Sequence, residues 1–173
     1  MVVFETNRLI IREHTQEDIE KLFAILSDPV TMSFWPSPLT SDQVSEWVTI
    51  NIKNYHDLGF GRWAIILKED NQFIGDCGIK LASIDGTIEN DLGYIIDHHH
   101  WKKGYAMEAA AACKEYALGK LQMKRLCANM AVDHIRSKNV AIKLGMSLEK
   151  IFNNQRNRNL PTYLFAYNVP DEQ

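Results

Sequence analysis

Between Leu92 and Ala109 the sequence sets a strand, a charged turn and a helix end to end. The residues are Leu92-Gly93-Tyr94-Ile95-Ile96, then His100-Trp101-Lys102-Lys103-Gly104-Tyr105-Ala106-Met107-Glu108-Ala109. A helix that starts directly after such a turn presents unpaired backbone N–H groups and the positive end of its dipole. That arrangement binds phosphate or pyrophosphate without any special side chain. Gly104 lets the backbone approach an anion closely, and Lys102 and Lys103 add local positive charge. A plain strand-turn-helix junction with two solvated lysines is the competing reading. The P-loop pattern and the dinucleotide fingerprint are both missing, which speaks against a nucleotide hydrolase or a dehydrogenase.

Other reactive side chains are scattered. His134 is a suitable base near neutral pH, or else an ordinary structural histidine. His98-His99-His100 invites a metal reading. Adjacent side chains diverge, however, and no carboxylate or cysteine sits at a helpful spacing, so no metal is expected. Lys124-Arg125 and Arg156-Asn157-Arg158 read as solvated basic spots. Cys77, Cys113 and Cys127 are an odd set without a paired CxxC, so free buried thiols are expected rather than disulfides or zinc.

The elements that must position these groups follow from periodicity. Residues 8–12 read as a first strand. Thr15 and Asp18 form a capping box before a helix with Ile19, Leu22, Phe23 and Leu26 on one face. Residues 31–39, with Phe34, Trp35, Pro36 and Pro38, are irregular. Thr40 and Gln43 cap a second helix that reaches about Tyr55, with Val44, Trp47, Val48 and Asn51 along one side. Strands at 63–67, 73–81 and 91–96 make an antiparallel meander, with Asp85-Gly86 as a turn. An alanine-rich helix covers 105–118, a strand 125–130, and a short helix 137–144 that Gly145 closes. Two strands, 148–152 and 163–167, end the pattern. The order is β-α-α-β-β-β-α-β-α-β-β, a mixed α/β sheet with helices on its faces.

Composition narrows the partners. Of 173 residues, 46% are hydrophobic and 24% charged, so a packed core rather than disorder is expected. No apolar run is long enough to span a bilayer. Lys plus Arg is 19 against 22 for Asp plus Glu, a formal charge of -3, which disfavours nucleic acid as a partner. Residues 1–12 lack the apolar stretch of a signal peptide, so the expected location is the cytoplasm. One domain over 1–173 accounts for the chain, as a monomer or a homodimer.

In four places, in order, the sequence resembles the GNAT (Gcn5-related) N-acetyltransferases, in the branch that acetylates ribosomal-protein N-termini and related amines. Trp101 to Ala109 is similar to that branch's W-G-K-G-Y-A-x-E-A loop. Glu5-Thr6-Asn7-Arg8-Leu9 resembles its E-T-x-R-L start, and Asp91-Leu92-Gly93-Tyr94 its E-x-G-Y strand. The ten residues from Ser137 to Met146 resemble its N-x-x-S-x-x-x-x-x-K-L-G-F segment. The likeness runs from about residue 5 to 168. Two positions depart from the pattern: the family asparagine is His134, and the strand glutamate is the shorter Asp91.

The resemblance implies a GNAT fold, a mostly antiparallel twisted sheet with helices on both faces and two splayed strands between which acetyl-CoA lies. It implies that Tyr94, Ile95 and Ile96 contact the pantetheine arm, and that Lys102, Lys103, Gly104, Tyr105, Ala106 and Met107 contact the pyrophosphate. It makes Asp91 the first candidate for a base, with His134 second, and Ser137 a partner for the thiol sulfur unless it only caps its helix. Phe34 and Trp35 would line the acceptor pocket. Acetyl transfer to an amine needs a neutral amine, a donor for the oxyanion and a proton for the leaving thiolate. A protein N-terminal amine or a small amine would serve as acceptor. A GNAT-fold module that binds coenzyme A or a partner without catalysis is the alternative.

Overall fold

The computed structural model describes residues 1–170. Among the described residues, eight strands form one sheet in the order β1-β2-β3-β4-β5-β6-β8-β7. They are β1 (Val2–Glu5), β2 (Leu9–Arg12), β3 (Arg62–Leu67), β4 (Phe73–Ile84), β5 (Thr87–Ile96), β6 (Arg125–Ala131), β7 (Ser147–Asn154) and β8 (Leu160–Asn168). The helices are α1 (Ile19–Leu26), α2 (Ser41–Asp57), α3 (Tyr105–Gly119) and α4 (Ile135–Lys143).

Every neighbouring pair is antiparallel except β5 and β6. Those two are parallel and in register at Asp91 opposite Cys127. Beyond that point β5 stays with β4 as far as Ile96 opposite Gly75, while β6 stays with β8. The sheet therefore opens into a wedge between β5 and β6, the splay that the resemblance implies.

Helices cover both faces, as expected. On one, α3 and α4 place Ala109, Cys113, Ala117 and Ala141 against Leu9, Ile11, Trp63 and Ile65. The alanines of α3 leave no long side chain to hold the helix off the sheet. On the other, α1 and α2 pack Leu22, Leu26, Val44 and Val48 with Ile95. Both capping boxes form. Thr15 N–H donates to Asp18 Oδ2 at 2.8 Å and opens a 3-10 turn that runs into α1. Thr40 N–H donates to Gln43 Oε1 at 2.8 Å.

Several boundaries differ from the periodicity, among them β8, which spans Leu160–Asn168 rather than 163–167. Strand β1 is read as no element in the sequence, because four edge residues beside charges carry too little pattern. It is held by Phe4, which packs on Trp63 and Tyr116. The β4–β5 hairpin is longer than expected, at 73–84 and 87–96. Its outer turns alternate polar and apolar residues around a two-residue turn, with Asp85 at φ 46° and Gly86 at φ 82°. Helix α4 starts at Ile135, not at Ser137, with His134 at its N-cap. The three cysteines are free and buried, as expected.

Candidate active site

The wedge between β5 and β6 opens into a cavity of about 740 Å³. A smaller one of about 220 Å³ adjoins it. Phe34, Trp35, Tyr94, His134, Ser137 and Val140 line both. Three of the four expected catalytic and wall regions thus meet where the cavities join, and Asp91 stands in the larger one.

The smaller cavity is built on the N-terminus of α3. Gly104 caps the helix with φ 84°, in the left-handed region that a Cβ disfavours. Lys102 also has positive φ, 64°. The N–H of Glu108 donates to the Gly104 carbonyl at 3.1 Å and starts the helical ladder, so the N–H groups before it have no partner within the helix. Tyr94, Ile95, Ile96, Lys102, Gly104, Tyr105, Ala106 and Met107 all line this space. Lys103 does not. It is exposed, and its carbonyl accepts from Arg8 Nη1 at 2.9 Å. Sequence reasoning missed Arg136, which lines the cavity and stands 4.8 Å from the Trp101 ring centre. Its place on the first turn of α4 was hidden by the late helix start assigned there. A pyrophosphate would therefore meet free N–H groups, Lys102 and Arg136, and the site fits such a group.

Asp91 is buried at 7% exposure, and its Oδ1 accepts from Asn129 Nδ2 at 2.9 Å. It is a mid-sheet carboxylate, not an edge one. Burial pushes its carboxyl above the usual range, against the pull of Lys80 and Arg62. Such a group accepts a proton more readily than a solvated aspartate does.

His134 stacks on Phe34 with ring centres 3.7 Å apart and planes 3° from parallel. Burial, with Arg136 nearby, pushes its imidazole down to about 4. The ring is then neutral at neutral pH and a weaker base than a solvated histidine, which favours the structural reading. Ser137 lies inside the first turn of α4 rather than capping it. Its Oγ is 3.2 Å from the Tyr94 hydroxyl, and burial raises that phenol. Phe34 is held a second time, because Asn157 Nδ2 donates to its carbonyl at 2.9 Å. Trp35 stacks edgewise near Trp47 at 6.2 Å.

A row of polar groups on the α2 side of the sheet was not anticipated. Asp76, Gly78 and Lys80 alternate along β4, so their side chains share one face. Arg62 sits opposite Gly78, which in turn sits opposite Gly93. Its guanidinium lies over β5, and a Cβ on Gly93 would fall on Arg62 Nη1. Asp76 is fully buried. It pairs with Arg62 Nη2, lies 3.2 Å from His14 Nε2 and accepts from Trp47 Nε1 at 3.1 Å. Burial opposes ionisation here, but Arg62 and His14 hold its carboxyl below the usual range. The spacing of Asp76 and Lys80 inside an otherwise apolar strand was the available signal.

The histidine triplet does have carboxylates beside it. His99 Nδ1 is 2.9 Å from Asp97 Oδ1, and His98 Nδ1 is 2.9 Å from Asp28 Oδ2. Asp97, His98 and His99 offer three ligand atoms within 4.8 Å of one another. The expectation of no nearby carboxylate is therefore corrected. His98 N–H also donates to Thr31 Oγ1 at 3.1 Å, so the triplet fastens residues 28–31 to the turn before α3. Of the basic spots, Arg125 is not free. It bonds Glu89 and Glu149 at 2.7 to 3.0 Å.

Among the described residues, no helix is long and apolar enough to cross a membrane.

The sequence matches the acetyltransferase (GNAT) domain family over residues 8–147. It is 32% identical to the uncharacterized protein YkkB of Bacillus subtilis (strain 168) over 146 residues, 84% of this chain and 85% of that protein. A GNAT-family acetyltransferase from Bacillus anthracis superposes with a TM-score of 0.79 at 24% identity, covering 97% of this chain and 98% of that one. A ribosomal L7/L12 alpha-N-protein acetyltransferase in complex with coenzyme A superposes with a TM-score of 0.78 at 13% identity, over 99% and 100% of the two chains.

Proposed function

The chain belongs to the GNAT acetyltransferase family, and from that premise we propose that it moves an acetyl group from acetyl-CoA to a primary amine, with both substrates held together across the wedge between β5 and β6. The observation that carries this reading is the junction of the two cavities at Tyr94, His134 and Ser137. One cavity offers anion donors at α3, and the other offers the buried carboxylate of Asp91.

Acetyl-CoA supplies the activated acyl group. Residues 102 and 104–107, with Arg136, hold its pyrophosphate, and Tyr94, Ile95 and Ile96 receive the pantetheine arm along the open edge of β5. Holding the amine and the thioester together removes the entropy cost of their encounter, a large share of the barrier. Asp91 draws the cationic amine into the wedge and accepts its proton directly or through water. The amine nitrogen then bonds to the acyl carbon as the carbon–sulfur bond breaks. The Ser137 and Tyr94 hydroxyls, already within hydrogen-bond distance of one another, donate toward the leaving sulfur. His134 stays neutral and fixes the Phe34 wall. The acceptor is a peptide N-terminus or a small-molecule amine.

A thiol-release assay with acetyl-CoA and a panel of amines tests the proposal. The expected result is amine-dependent release that Asp91→Asn reduces by about 100-fold, in the range of general base catalysis. Coenzyme A binding with no release above background for any amine would leave a binding module instead.

A further inference from the structure

The larger cavity is unevenly charged, and the imbalance bears on the acceptor. Three cationic side chains line it, Arg62, Lys80 and Arg156, against two carboxylates, Asp85 and Asp91. Two of these five are neutralised from outside the cavity. Arg62 pairs with Asp76 behind the wall, and Asp85 pairs with Lys150 at 2.7 Å. That leaves Lys80 and Arg156 facing Asp91.

Lys80 is the most telling. It stands directly opposite Asp91 in the β4–β5 register, half-buried, with its ammonium 5.6 Å from the Trp47 ring centre. Among the described residues it has no ion-pair partner within 4 Å. Asp91 points its bonded oxygen at Asn129 instead. Beside Lys80, Arg62 is 2% exposed, and its Nε is buried without a hydrogen-bond partner. The Arg62 N–H has lost its water without gaining an acceptor, which is costly, and the half-buried Lys80 ammonium lacks a counter-charge. Burial pushes the Lys80 ammonium down against the pull of Asp91, and the neighbouring Arg62 and Arg156 push it the same way. An anion placed there would answer the two uncompensated cations, Lys80 and Arg156.

We propose that the acceptor amine carries an anionic group, a carboxylate or a phosphate, which Lys80 and Arg156 hold while Asp91 receives the amine. The inference rests on the acetyl-transfer reading above and deepens it by naming the acceptor class. The acceptor is then a small zwitterion, an amino acid or an amino-phosphate. It places its anion on the β4 side of the cavity and its amine on the Asp91 side. A polyamine or an aminoglycoside would bring several positive charges to a wall that already has unmet ones, with one carboxylate to answer them.

The test pairs each anionic amine with its uncharged isostere. Glutamate and glycine are compared with their carboxamides, and glucosamine 6-phosphate and phosphoethanolamine with glucosamine and ethanolamine; spermidine represents the polycations. Acetyl transfer is read as kcat/KM, and binding to the protein loaded with coenzyme A is read by calorimetry. The expected result is at least one anionic amine preferred over its isostere by about 30-fold or more in both readouts. The two arms tell carboxylate from phosphate. In Lys80→Met the preference ratio falls toward one, and the exposed Arg156→Gln lowers it partway. Spermidine or an uncharged isostere turned over or bound as well as the anionic amine would overturn the proposal. So would a Lys80→Met variant that keeps the preference. If no amine is acetylated, the binding ratio still decides: a Lys80-dependent preference sustains the anion site while the acetyl-transfer reading fails, and equal binding rejects the site.

Discussion

Arg8 and Glu108, 100 residues apart in the chain, are joined by an ion pair in which Arg8 Nε donates to Glu108 Oε2 at 2.7 Å. Glu108 also accepts from the Arg8 N–H at 2.9 Å and from Thr6 Oγ1 at 2.6 Å. Burial opposes its charge, yet these donors hold its carboxyl below the usual range. Arg8 also reaches the Lys103 carbonyl and lies 4.4 Å from the Tyr105 ring centre. The strand start therefore fixes the turn before α3 and masks a carboxylate one turn from where a phosphate would sit. Replacing Arg8 with Ala frees the turn and unmasks Glu108. The expected outcome is acetyl-CoA affinity weaker by about 10-fold, roughly 1.4 kcal/mol, measured by calorimetry. Arg8→Lys would recover part of the charge without the fork geometry.

At the turn itself, Gly104 takes a left-handed conformation next to the expected anion. In Gly104→Glu the side chain adds strain of about 1 kcal/mol from the lost φ freedom and sets a negative charge against phosphate. Calorimetry should show acetyl-CoA binding abolished, with the thermal unfolding midpoint lowered by only a few degrees. Unchanged affinity would remove the turn from the site.

Asp76 ties β3, β4, α2 and the loop after β2 together through Arg62, His14 and Trp47. In Asp76→Asn a buried guanidinium loses its counter-charge, and the expected destabilisation is about 3–5 kcal/mol, read from urea unfolding. The sign of the pH dependence follows from the lowered carboxyl. Its stabilisation is whole above the unfolded value of about 4 and is lost as pH falls through the folded one. Asp18, held down by Arg12 despite its burial, behaves the same way. The wild-type protein should therefore lose stability steeply below about pH 4, and Asp76→Asn should flatten that fall.

His134 acts in a different window. Its folded value near 4 lies below the ordinary histidine value of 6.5. The unfolded chain binds the extra proton first, so stability is whole above 6.5 and is lost as pH falls toward 4. Thermal unfolding at pH 5 should show a deficit relative to pH 7.5 that shrinks in His134→Gln, by the order of a few degrees. The same variant should leave the acid limb of kcat/KM in place, whereas Asp91→Asn should remove it. Loss of that limb in His134→Gln would return the histidine to the role of base.

Much of the frame was legible because its signals are local. The helical stripes of α1 and α2, their capping residues Thr15 and Thr40, and the Gly104 turn each depend on a few adjacent positions. Tyr94, Lys102 and Met107 could be placed from the strand-turn-helix junction and the family likeness. What escaped is what depends on pairing between distant segments. Arg62 matters only because Gly78 sits opposite it and Gly93 beyond that, and Lys80 only because Asp91 sits opposite it. The burial that weakens His134 comes with Phe34 stacking on it from 100 residues earlier in the chain. Lys103 depends on a distant segment too: it is exposed outside the cavity, and its carbonyl accepts from Arg8.

The guanidinium that covers Gly93 also constrains how this site can change over generations. The volume that a side chain at Gly93 would take is held by one arginine from another strand. A methyl on Gly93 with Arg62 in place is a clash. A shortened residue 62 beside an unchanged Gly93 is a void next to an Asp76 that has lost its ion pair. Neither first step is mild, so the three positions form one inherited unit. A variant that alters residue 93 should survive only where residues 62 and 76 have already moved with it.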